Sequence, residues 1–145
     1  MTQARHTVVS REETGVYHCV SRCVRRAFLC GWDAYSGKNY EHRRDWVQER
    51  LRELSERFGV QVLAYSVMSN HTHLVLRTRP DWVDSWSADE VAERWCRLFR
   101  GRKAQREGKA YDEDKYERIR KDPEQVQRCR DRLKDLSWFM RCLNE

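Results

Sequence analysis

Hydrophobic and polar positions follow two different periods along this chain, and the switches between them outline its elements. Residues 15–24 set Val16, His18 and Val20 against Tyr17, Cys19 and Ser21, with the β-branched and aromatic content of a strand. Gly31, Gly37 and Asn39 then mark a loop over residues 32–39. Over residues 41–58, Val47, Leu51, Leu54 and Phe58 fall on one apolar stripe, the spacing of an amphipathic helix. Gly59 stands where a helix C-cap glycine belongs. Residues 60–67 and the run from His71 read as two strands, joined by the short polar turn Met68-Ser69-Asn70. Arg79-Pro80 is expected to end the second of these, with Trp82 and Trp86 in a loop.

The C-terminal half has the helical period. Ser87-Ala88-Asp89-Glu90 has capping-box spacing, and Val91, Trp95, Leu98 and Phe99 form the stripe behind it. Residues 101–116 carry two glycines and no period, and are expected to be an exposed segment. Asp122-Pro123-Glu124-Gln125 opens a further helix. Its stripe runs through Val126, Cys129, Leu133, Leu136 and Met140, with a break expected at Ser137. Residues 1–13 are polar and are expected to fray.

The predicted order is β-α-β-β-α-α, an α+β fold in one domain spanning 1–145. Its front matches a ferredoxin-like β-α-β-β-α-β unit with an antiparallel sheet. The final strand is missing and an extra C-terminal helix stands in its place. The first strand should then keep an open edge, which invites pairing with another chain, a homodimer included.

One stretch carries candidate chemistry: Met68-Ser69-Asn70-His71-Thr72-His73-Leu74-Val75-Leu76. Side chains two apart on a strand share a face, so His71 and His73 stand side by side, about 7 Å apart at the backbone. Two neutral imidazoles so placed can grip a divalent metal. Thr72, Leu74 and Leu76 point the other way and can enter a core. A lone His-x-His is more often just a polar strand face; its place beside a hairpin turn favours the metal.

Bulk composition adds a partner. The net charge is +6 and arginine supplies most of the positive side. The guanidinium fork matches phosphate, so Arg22, Arg25 and Arg26 are candidate nucleic-acid contacts, although acids are plentiful too. The six cysteines form no C-x-x-C pair. With no signal peptide and no apolar run long enough to span a membrane, a reduced, cytoplasmic protein is expected.

These residues resemble the HUH single-strand DNA transposases, in particular the REP-associated tyrosine transposase (insertion-sequence-200-like) group. The likeness rests on Tyr17-His18-Cys19-Val20-Ser21-Arg22, on the helix through residues 46–58, and above all on Ala64-Tyr65-Ser66-Val67 continuing into Met68 to Leu76. It implies that His71 and His73 bind a divalent metal, Mg²⁺ or Mn²⁺, and that the substrate is single-stranded or hairpin DNA. In such enzymes a tyrosine on a later helix attacks phosphorus to give a 5′-phosphotyrosine, and an Asn four residues on supplies a third ligand. Thr72 stands where the family usually has a hydrophobic residue.

The resemblance fails at the nucleophile. No tyrosine on a helix after the hairpin has Asn four residues on; Tyr116 is a poor substitute. Trp138-Phe139-Met140-Arg141-Cys142-Leu143-Asn144 resembles a segment that precedes the tyrosine helix in family members. The chain is therefore expected to lack the last strand and the tyrosine helix. Three functions fit: a transposase-type protein, possessing or lacking strand cleavage; a non-enzymatic single-strand-binding module; or a fold whose histidines are only structural.

Overall fold

The computed structural model describes residues 5–23 and 29–145. In chain order the elements are α1 (Arg5–Val8), β1 (Val16–Arg22), β2 (Trp32–Asp33), β3 (Lys38–Asn39), α2 (His42–Arg57), β4 (Val60–Val67), β5 (His71–Thr78), α3 (Pro80–Ser85), α4 (Ala88–Leu98), α5 (Arg102–Arg106), α6 (Glu113–Arg120), α7 (Pro123–Leu133) and α8 (Leu136–Asn144).

The main sheet has the order β1-β5-β4, with β5 antiparallel to both neighbours. This is the ferredoxin-like arrangement: α2 carries the chain from one side of β5 to the other, and the hairpin then fills the gap. The alternation in β5 is complete. Thr72, Leu74, Leu76 and Thr78 are buried, while His71, His73, Val75 and Arg77 are half-buried. Cys19, Leu74 and Leu76 share one apolar cluster with Leu51, Leu54 and Phe58 of α2 and its C-cap, Val91 of α4, and Phe139 and Met140 of α8. Phe58 meets Phe139 edge-on, with centroids 5.5 Å apart, worth about 1 kcal/mol beyond burial. The opposite sheet face, with Val16, His18, Val20 and Arg22 exposed on β1, stays outside this cluster.

Several local expectations are corrected. Pro80 ends β5 but also begins α3, because its fixed φ and missing N–H suit a first helical position. Trp82 therefore lies on a helix, and Trp86 is its C-cap residue. Residues 101–116 hold α5 and the start of α6. Gly101 and Gly108, at φ 77 and 68, make left-handed turns on either side of α5. Asp112 accepts from Lys115 N and starts α6, a cap that apolar periodicity does not reveal. Residues 32–39 contain the small β2–β3 hairpin rather than only a loop. The last helical break falls at Lys134 and Asp135, not Ser137: Asp135 accepts from Ser137 N and Trp138 N and so caps α8. Gly59 is no left-handed cap; Phe58 is the C-cap residue, in extended geometry, and Gly59 N donates to Leu133 O at 2.9 Å.

The segment before β1 is tied to the α7–α8 junction. Arg11 pairs with Asp135 at 2.5 Å. Lys134 reaches Glu12 at 3.4 Å and Asp84 at 3.3 Å.

Candidate functional site

The β4–β5 turn is held from two sides. Met68 N donates to His71 O at 2.8 Å and closes the hairpin. Cys23 N donates to Asn70 O, and Leu29 N and Cys30 N both donate to Ser69 O, so the chain leaving β1 grips the turn's backbone. The first residues of β5 are thereby fixed relative to the end of β1.

His71 and His73 share the open face, as alternation requires. Their ring centroids are 4.9 Å apart, at 75° to each other. His71 Nδ1 lies 2.6 Å from Asn70 Oδ1. An amide oxygen only accepts, so Nδ1 is the donor, and in the neutral ring Nε2 then holds the lone pair. A third imidazole completes the row. His18 Nε2 lies 2.9 Å from His73 Nδ1, and the two rings stack with centroids 5.1 Å apart. Sequence reasoning placed His18 on a strand face but not beside His73. Its signal was strand alternation, which cannot reveal that Val20, two residues on, pairs with His73 across the ladder.

Arg22 pairs in register with His71 and is exposed on the same face. Arg77 stands at the far end of that face, opposite Val16. Neither makes an ion pair among the described residues. The three strands β1, β4 and β5 contain no Asp or Glu. Arg25 and Arg26, the other predicted nucleic-acid contacts, lie outside the described residues. Behind β5, Thr72 is buried, its hydroxyl has no partner, and it lines a cavity of about 410 Å³ with Ser21 and Asn144. Ser21 Oγ donates to Asn144 Oδ1 at 2.6 Å and pins the end of α8 to β1. Among the described residues, no group of three or more His, Cys, Asp or Glu side chains is arranged to hold a metal.

A family model described as "Transposase IS200 like" matches residues 13–118. The chain belongs to this family. No curated protein and no solved structure matches it. The part shared with IS200-like transposases runs from before β1 into α6 and includes His18, Arg22, His71 and His73; α7 and α8 lie beyond it. No helix among the described residues is long and apolar enough to cross a membrane.

Set against a transposase of the tyrosine type, the tyrosines are badly placed. Tyr17 and Tyr65 pair in register with Leu76 and Leu74, on the core side of the sheet. Tyr116 lies on α6 rather than in a loop, and its ring is tilted 43° against that of Tyr111 with centroids 5.3 Å apart. Burial raises its hydroxyl pKa, the reverse of nucleophile activation. The Tyr-x-x-x-Asn spacing occurs at Tyr35 and Asn39, but on the β2–β3 hairpin and not on a helix. Tyr35 is fully exposed, and Asn39 Oδ1 is taken up by Glu41 N.

Proposed function

We propose that this IS200-like transposase chain binds single-stranded or hairpin DNA across the open sheet face. His71 and His73 would hold a divalent ion, Mg²⁺ or Mn²⁺, at a phosphodiester. The observation that carries this is the histidine pair on a strand face free of carboxylates, flanked by Arg22 and Arg77.

The two imidazoles could hold such an ion if water and phosphate oxygens completed its shell. Both rings sit on one rigid strand, and Asn70 fixes one tautomer through the nitrogen turned away from the ion, the usual support for a metal-bound imidazole. The ion, when bound, supplies charge that polarises and orients the phosphate. Arg22, next to His71 in register, adds a guanidinium that can fork onto a neighbouring phosphate oxygen. The absence of strand carboxylates keeps the face from repelling a polyanion. The unpaired edge of β1 is where a second copy could add a strand, and six free thiols suit a cytoplasmic setting.

A second reading, binding without cleavage, is favoured by one observation: no tyrosine stands on the histidine side of the three strands. One assay separates the two. Hairpin-tipped single-stranded DNA is incubated with the protein and Mg²⁺ or Mn²⁺. Metal-dependent nicking that His71→Ala/His73→Ala abolishes supports the enzyme; binding with no nicking supports the module. Failure to bind at low salt overturns both.

A further inference from the structure

The second concentration of positive charge lies in the helical layer, away from the histidine face. α4, α6 and α7 enclose a hollow of about 170 Å³ whose wall includes Trp95, Lys115, Arg118, Arg128 and Arg132, and no carboxylate.

Several cations elsewhere are paired: Arg44, Arg50, Arg79, Arg97, Arg120 and Lys121 hold acids within 4 Å, whereas Arg22 and Arg77 on the sheet face hold none among the described residues. None of the four cations at the hollow makes an ion pair among the described residues. Asp114 and Glu124 stand four positions before Arg118 and Arg128, yet neither closes a pair with them. The nearest capping acids are committed: Asp112 accepts from Lys115 N, and Asp122 accepts from Glu124 N, Gln125 N and Gln125 Nε2. Two of the cations are held in place. Lys115 Nζ donates to Phe99 O at 2.8 Å. Arg132 lies over Trp138, 4.7 Å from the ring centroid, and over Trp95 at 5.4 Å. Four like charges around one concavity repel each other, and an anion seated there relieves that repulsion.

We infer that this hollow is a phosphate-binding site for the DNA strand beyond the segment on the sheet face, with Arg118 and Arg128 as its exposed forks. The inference rests on the DNA-binding reading above. A phosphodiester suits the site better than a carboxylate ligand, because three arginines and a lysine line one hollow and a phosphate group offers their donors more oxygens than a carboxylate does.

The test is the salt dependence of binding to a hairpin with a long single-stranded flank, read by fluorescence anisotropy from 50 to 200 mM salt. Arg118→Gln/Arg128→Gln is compared with wild type and with Arg52→Gln, which removes an exposed charge from α2. Two lost phosphate contacts on a single strand should flatten the log–log slope by about 1.4. Wild-type affinity should then fall roughly sevenfold further than the variant's across that salt range. Arg52→Gln should keep the wild-type slope. A double variant with unchanged slope and affinity overturns the site while leaving the sheet-face reading intact. Equal flattening by Arg52→Gln also overturns it, as a diffuse charge effect. Wild-type protein that binds no DNA overturns both readings together.

Discussion

His18 and His73 share one proton across 2.9 Å, and the ring that holds it decides what His73 can do. When His73 Nδ1 donates to His18 Nε2, the far nitrogen of His73 has a lone pair for a cation. When His18 donates instead, that nitrogen carries hydrogen and cannot ligate. The metal site proposed above thus makes His18 a positioning residue. His18→Ala should weaken Mn²⁺ binding about tenfold or more, measured by electron paramagnetic resonance titration, with the fold intact because His18 is exposed. Partial recovery in His18→Gln, whose amide oxygen can accept from Nδ1, would separate this role from simple packing. An unchanged Mn²⁺ affinity in His18→Ala would reject it. The His71 and His73 pairing was legible because strand alternation is local. His18 was not, because its partner lies 55 residues away and the register between strands is written in no short window.

At the scale of elements, Gly59 shows how tightly the hairpin and α3 meet. A Cβ at Gly59 would run into Val83 Cγ2 and come within 2.9 Å of Arg79 O, and the residue's φ is not left-handed. The requirement is for space, not for a glycine conformation. Gly59→Ala should cost about 1–3 kcal/mol, seen as a lower urea midpoint; an unchanged midpoint would mean that α3 backs away freely. Sequence pattern found the elements with local signatures. The capping box is present, with Ser87 Oγ accepting from Glu90 N and Ser87 N donating to Glu90 Oε2. Asp122-Pro123 does start α7. It missed α3 because Pro80 ends one element and begins another. It missed α5 and the start of α6 because five and eight residues are too few to show a period.

Across the molecule, carboxylates lie outside the three strands of the main sheet, and several are held below their usual pKa. Arg79 does this for Asp81 by hydrogen bonding, the Ser87 backbone N–H for Glu90, Arg120 for Glu117, and Gln125 for Asp122. A folded-state pKa below the unfolded one means that protonation favours the unfolded chain. The contribution is therefore complete above the ordinary carboxylate range and is lost as pH falls through it, from about pH 4.5 downward. The urea midpoint should be level between pH 6 and 7 and should fall by pH 3; a midpoint that rises on acidification would contradict these pairings. All four groups are solvent-facing, so added salt should blunt the change.

The contact between the segment before β1 and the α7–α8 junction has a consequence for how the protein can be cut. Lys134 and Asp135 are each only 6% exposed, and their partners Glu12 and Arg11 come from ahead of the first strand. Those opening residues act as a buckle on the last helical joint. A version trimmed to begin at residue 13, where the family likeness starts, would keep His18, His71 and His73 yet strand a sunken carboxylate without its cation. The seam between the final two helices would be the first place to work loose.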